Sequence, residues 1–196
     1  MHFDFSKLGT VQVGMIPYSK EIIDDFPEPV TSTSPTPVAD HLFAIRPDEE
    51  RKLLPEEQAR AFHRSTAQLL FLSQRARPDM QTLVSFLTKQ VRSPDEDDWG
   101  KLRRGLMYLK GTLHMKLNIT VDSLSTIRWY VDASYGVHSD CKGHTGMMMT
   151  LGAGASMAMS KAHKLNTKSS IEAELVGVYD ALPDILWEKY FLEAQG

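Results

Sequence analysis

Apolar residues recur at helical spacing through the middle of the chain. Phe62, Leu69, Leu70 and Leu72 form one group, and Met80, Leu83, Val84, Leu87 and Val91 form a second, with a break at Arg77-Pro78. Two helices are predicted. Ser93-Pro94-Asp95 then offers a capping residue and an acidic first turn for a third, whose apolar positions are Trp99, Leu102, Leu106 and Leu109 and which ends near Gly111. The stretch 56–112 is therefore expected to be a compact helical unit.

The period shortens to two after about residue 124, where Ile127, Trp129 and Val131 alternate with Arg128, Tyr130 and Asp132. That pattern predicts a strand with Asp132 on its more polar face. Thr145 to Leu151 and the alternation of Ala155, Met157 and Met159, joined through Gly152 to Gly154, complete a three-stranded meander. Ser169 or Ser170 is expected to cap a last helix. Its apolar stripe reads Ile171, Leu175, Val178, Leu182 and Leu186, with a bend at Pro183. At the other end, the alternation on either side of Gly9 predicts a short hairpin within residues 1–16. Between hairpin and helices, PEPVTSTSPTPVAD at 27–40 holds four prolines among Ser and Thr. Such a stretch resists both helix and sheet and is expected to be a linker or an extended strap.

Composition adds limits. With 196 residues, 42% of them apolar and 24% charged, the chain has the balance of a globular protein. Apolar runs are interrupted by charge before they reach the length of a membrane span. The first residues lack the basic end and apolar core of a signal peptide, so a cytoplasmic or nuclear setting with no membrane is expected. Cys141 is the single cysteine, which excludes an intrachain disulfide and a multi-cysteine zinc module. A net charge of −3 argues against a generally basic nucleic-acid binder, but the charge is unevenly spread. Lys101, Arg103, Arg104, Lys110 and Lys116 fall between Trp99 and Val121 with no acidic residue among them. Contact with phosphates and a solvated helix face are both readings of that run. His138, Cys141 and His144 are evenly spaced, but three such groups in a turn without a fourth do not predict a zinc site. Met147 to Met149, Met157 and Met159 are read as core filler.

Several segments, in one order, resemble the reverse transcriptase and ribonuclease H region of copia-type retrotransposon polyproteins. HRSTAQLLFLSQRARPD at 63–79 is similar to the segment after the palm, and WGKLRRGLMYLKGT at 99–112 to the next helix. Val131 to Tyr135, Thr145-Gly146 and SSIEAE at 169–174 resemble the opening strand, second strand and first helix of the ribonuclease H domain. FDFSKLGTVQVGM near the start is similar to the last palm strands. The resemblance implies an α+β architecture. Residues 1–28 would end a polymerase palm, 29–55 would be the strap, 56–118 a helical thumb or connection unit, and 124–196 the first half of a ribonuclease H-like fold.

The parent activity implied is RNA-directed DNA synthesis, with degradation of the RNA strand of RNA–DNA hybrids. By the same resemblance Asp132 and Glu174 would be catalytic carboxylates holding Mg2+, with Glu172 as the alternative to Glu174. The basic run would contact an RNA–DNA hybrid or template–primer duplex. Two departures limit the carry-over. The chain contains no Tyr-Val-Asp-Asp type motif for polymerisation, and the later Asp-bearing strand of ribonucleases H is not expected before Gly196. The expectation is therefore a fragment inactive alone, its missing parts being possible partners. The rival expectations are a non-catalytic nucleic-acid-binding or assembly module and a relic without function.

Overall fold

The computed structural model describes residues 1–123 and 125–195, so the boundary expected at 124 and the terminal Gly196 lie outside the described residues. In chain order the elements are β1 (His2–Asp4), β2 (Thr10–Gly14), α1 (Ile16–Asp24), α2 (Glu56–Ser73), α3 (Gln81–Gln90), α4 (Glu96–Gly111), β3 (Leu117–Thr120), β4 (Arg128–Ser134), β5 (His144–Thr150), β6 (Met157–Ala162) and α5 (Ser170–Gln195). Short 3-10 turns occur at Asp48–Glu50 and Pro78–Met80. The chain divides into two units, one of Met1–His2 with Val13–Lys116, the other of Phe3–Gln12 with the chain from Leu117 onward. The mixture of helices with two separate three-stranded sheets is an α+β architecture.

In the helical unit the predicted apolar positions close on one another. Phe62, Leu69 and Leu72 of α2, Leu83 and Leu87 of α3, and Leu102, Leu106 and Leu109 of α4 are fully buried. Leu70, on the opposite side of α2 from Leu72, is exposed. Gly105 sets the approach of α3 to α4, since a Cβ there would stand 2.2 Å from Leu83 Cδ2. Asp95 caps α4. Its carboxylate accepts from the amides of Asp97 (2.9 Å) and Asp98 (3.0 Å), while Asp98 accepts from the Asp95 amide at 3.1 Å, a reciprocal capping box. Helix α1, with Pro17 in its first turn and Ile22 fully buried, was not anticipated from the sequence.

No regular structure occurs between Pro27 and Asp40, as the prolines predict, but the segment is anchored along α4. Trp99 Nε1 donates to Glu28 (2.9 Å), Lys110 donates to the Val30 carbonyl (2.5 Å), and Arg104 donates to Thr36 Oγ1 (2.9 Å). Phe26 stacks on Trp99 at 4.8 Å between ring centroids. The segment is thus a packed strap.

The other unit holds most of a sheet of order β1-β2-β3 and the whole of the expected antiparallel meander β4-β5-β6. Gly9 lies between β1 and β2 at φ +72°, a left-handed conformation that favours glycine. Helix α5 packs on the meander, and here the structure corrects the expected face. Ala173, Gly177 and Ala181 are its buried residues, while Ile171, Leu175, Val178, Leu182 and Leu186 are exposed. The reason is steric. A Cβ at Gly177 would stand 3.2 Å from Ala133 Cβ and 3.3 Å from Thr145 Oγ1, so only a stripe of small residues lets the helix backbone lie this close to the sheet. Met147 and Met149 are buried and Met148 between them is exposed, the alternation expected of a strand with one covered face.

Candidate functional site

Strand β4 positions the first sequence-predicted carboxylate. Asp132 pairs with Gly146 in the β4–β5 register and is exposed. Its neighbour Ala133 meets Gly177 of α5, so strand alternation turns the Asp132 side chain to the other face of the meander. On that face Gly146 leaves open space where a side chain would stand, and Ser160 is its partner on β6. His144 joins the same face through a 2.7 Å contact of Nε2 with Ser160 Oγ, and His138 Nε2 lies 3.0 Å from His144 Nδ1. The two histidines are thus held by a hydrogen-bonded relay. Cys141 is exposed in the loop at φ +60°.

The start of α5 positions the two glutamates differently. Ser169 caps the helix through a 3.2 Å bond from the Glu172 amide to its hydroxyl, and Glu172 Oε2 accepts from the Lys168 amide at 2.7 Å. Glu172 is therefore committed to closing the helix N-terminus. Glu174 is exposed and lies three residues before the Gly177 contact. Beneath the helix, burial lowers the pKa of His163 against the opposing pull of Asp180 and Glu174. His163 Nε2 lies 2.7 Å from Thr145 Oγ1, and Nδ1 is buried without a partner. Lys161 pairs with Asp180 at 3.6 Å. The sequence signal for Asp180 was its i+3 offset from Gly177, on the small-residue face and not on the apolar stripe. His163 carried no periodic signal.

Magnesium, implied by the resemblance, requires several convergent oxygen ligands. Asp132 and Glu174 are both accessible. Among the described residues, however, no three of His, Cys, Asp and Glu come together to hold a metal ion. These residues alone do not make up a site for it.

The basic run on and after α4 is largely engaged within its own unit. Lys101 is buried, paired with Asp97 at 2.9 Å, donating to the Ala44 carbonyl at 2.6 Å and lying 4.4 Å from the Phe86 ring centroid. Arg104 and Lys110 hold the strap, as described above. Arg103 is exposed with Glu28 at 3.8 Å, and Lys116, also exposed, runs its stem over Gly14. A cavity of about 390 Å3 opens between strap and α4, bordered by His41, Leu42, Arg46, Asp97, Lys101 and Arg104. Arg103 and Lys116 are thus the exposed members of the run, while Asp97 neutralises Lys101 and strap oxygens accept from Arg104 and Lys110.

The relatives are retrotransposon polyproteins. The chain is 25% identical over 187 residues to the Retrovirus-related Pol polyprotein from transposon TNT 1-94 of Nicotiana tabacum, covering 91% of this chain and 14% of that protein. It is 34% identical over 120 residues to a transposon Ty5-1 protein of Saccharomyces cerevisiae, covering 60% of this chain and 39% of that protein. It is 30% identical over 112 residues to the Retrovirus-related Pol polyprotein from transposon RE2 of Arabidopsis thaliana, covering 57% of this chain and 8% of that protein. The chain is thus similar to segments of retrotransposon proteins and spans less than half the length of each of these relatives. No family model matches the chain, and no solved structure does. No helix among the described residues is long and apolar enough to cross a membrane.

Proposed function

We propose that this chain is a portion of the reverse transcriptase and ribonuclease H region of a copia-type Pol polyprotein, contacting nucleic acid duplexes but not cleaving them alone. The observation that carries the reading is the succession of the β4-β5-β6 meander and α5, with Asp132 on the first strand and Glu174 near the start of the helix. In the whole region these two would be part of the carboxylate set at the ribonuclease H site. The engagement of Glu172 with Lys168 favours Glu174 for that role. The helical unit would lie on the template–primer or hybrid backbone through Arg103 and Lys116, positioning the duplex without reading its sequence.

The test is titration of a labelled RNA–DNA hybrid with the full chain over a range of salt concentrations. Arg103→Ala is expected to weaken binding and to reduce the slope of log affinity against log salt by about one unit. Its side chain is exposed and paired only at 3.8 Å, so the circular dichroism spectrum is expected to stay unchanged. A hybrid affinity independent of salt, or a slope unchanged by Arg103→Ala, would remove the duplex-contacting role.

A further inference from the structure

Helix α5 carries a second apolar face that the meander does not use. Ile171, Leu175, Val178, Leu182, Ile185 and Leu192 follow one another at alternating steps of four and three residues, interrupted by Lys189. This is the a/d seam of a heptad repeat continued over the length of the helix. Its first four side chains are 73%, 65%, 50% and 44% exposed. The small-residue face packs against β4 and β5, so Ile171, Leu175, Val178 and Leu182 are turned outward, while Ile185 and Leu192 further along are half-buried. Tyr179 and Leu186 widen the strip at the flanking e positions. Large contiguous apolar patches on a protein surface mark interaction sites, whereas scattered single apolar residues do not. Pro183 falls at position b, off the seam, and the helical assignment continues through it.

The charges beside the seam decide what covers it. Positions e and g hold Glu172, Glu174, Glu188 and Glu193 and no Lys or Arg, and Lys189 is the lone cation of the helix. Lys189 is itself 3.8 Å from Glu193. A second copy would bring glutamate against glutamate: a parallel pair sets Glu188 against its partner's e position, and an antiparallel pair sets g against g and e against e. A helix with Lys or Arg flanking its own apolar stripe meets the acidic borders with opposite charge along both edges.

From this seam we infer that α5 is a docking face for a basic amphipathic helix of a partner protein. The partner helix lies along Ile171 to Leu192, its apolar residues between those of α5 and its cations against the four glutamates. The inference shares Glu174 with the proposed hydrolytic reading, but its test varies Leu175, Leu182, Glu188 and Glu193 and leaves Glu174 unchanged, so failure of one reading is distinguishable from failure of the other.

The experiment is a polarisation titration of the full chain with labelled synthetic helical peptides. The first has Leu at a and d and Lys at e and g. The second has Glu in place of Lys, and the third has the composition of the first in scrambled order. The ordered Lys peptide is expected to bind at least about tenfold more tightly than either control, with affinity falling as salt rises. Leu175→Lys with Leu182→Lys is expected to abolish binding at unchanged helicity, both side chains being exposed. Glu188→Lys with Glu193→Lys is expected to shift preference toward the Glu peptide, a gain that misfolding cannot mimic. Equal binding of the scrambled peptide, or binding indifferent to these substitutions, would overturn the proposal. So would sedimentation equilibrium showing the chain already dimeric through this seam, with Leu175→Lys and Leu182→Lys restoring the monomer.

Discussion

Arg77 and Thr112, thirty-five residues apart, are joined twice: Nη1 of the arginine donates to the threonine carbonyl at 3.1 Å and Nη2 to its hydroxyl at 2.7 Å. The same guanidinium pairs with Asp79 at 2.7 Å, and the Tyr108 hydroxyl donates to that carboxylate at 2.8 Å. The Arg-Pro-Asp after α2 and the Tyr-Leu-Lys-Gly-Thr at the end of α4, two of the segments that carry the family resemblance, are halves of one hydrogen-bonded lock. Arg77 is almost wholly buried, so removing it takes the donor from the Thr112 carbonyl and hydroxyl and leaves Asp79 with Tyr108.

Arg77→Ala is accordingly expected to destabilise the helical unit by about 1–3 kcal/mol, the cost of taking a buried donor from the groups it bonds, Asp79 itself remaining accessible to water. Arg77→Lys keeps the charge but loses the forked geometry and is expected to fall between wild type and Arg77→Ala. Urea unfolding followed by far-ultraviolet circular dichroism measures both. An Arg77→Ala midpoint equal to that of wild type would show that the lock contributes nothing to stability.

The cap of α4 makes a prediction about pH. Burial raises the Asp98 pKa to about 6, with the Asp95 carboxylate adding to the rise and the Asp95 amide opposing it. Burial also pushes Asp95 upward, but the Asp98 amide, Arg51 and the Asp97 amide outweigh it and hold that carboxyl below its usual range. A folded-state pKa above the unfolded value means that the native chain binds the extra proton. The Asp98 contribution to stability is thus fully present below about pH 4 and lost as pH rises through about 6. Asp95 has the opposite sign, its contribution being lost as pH falls below the ordinary carboxylate range. Asp98→Asn keeps an acceptor for the Asp95 amide and cannot ionise. Its stability relative to wild type is expected to rise between pH 4 and pH 6 and then level off, as read from urea midpoints at a series of pH values. A difference independent of pH would contradict the ionisation of Asp98 in this window.

Gly177 provides a third test, in the other unit. Gly177→Leu places a branched side chain where a single Cβ would already meet Ala133 and Thr145 within 3.2–3.3 Å. Overpacking of this kind costs typically about 1–3 kcal/mol. Faster amide exchange in β4 and α5, with α2 to α4 unaffected, is the expected result. Uniform protection as in wild type would contradict the close approach of α5.

The helical unit was legible because each helix follows one rule throughout: period 3.6 for Phe62 to Leu109, a break at Arg77-Pro78, and a capping signal at Ser93-Pro94-Asp95, of which Asp95 is the cap. The meander was legible from period two. What misled was α5, where the larger apolar side chains suggested the buried face and Ala173, Gly177 and Ala181 form it. Hydrophobicity ranks side chains by what they gain on burial, but a close helix–sheet contact selects for small volume, which a periodicity search on apolar size does not detect. The surroundings of the basic run were less legible. No acidic residue lies between Trp99 and Val121, but Asp97, one helical turn earlier, pairs with Lys101, and Thr36 and the Val30 carbonyl of the strap accept from Arg104 and Lys110. Helix α1 was missed because Ile16–Asp24 is short and lies between a hairpin and a proline-rich strap.

On the reading proposed above, this chain carries part of a hydrolytic site and not a working one. Asp132 and Glu174 are exposed, Asp132 on the face of the meander turned away from α5, and among the described residues no three of His, Cys, Asp and Glu come together to hold a metal ion. Activation of water by metal requires more convergent carboxylates than these. The direct measurement is hydrolysis of a labelled RNA–DNA hybrid by the purified chain in magnesium or manganese, beside an Asp132→Asn variant prepared identically. The account predicts no metal-dependent cleavage of the RNA strand by either protein. Cleavage by wild type that disappears in Asp132→Asn would contradict it.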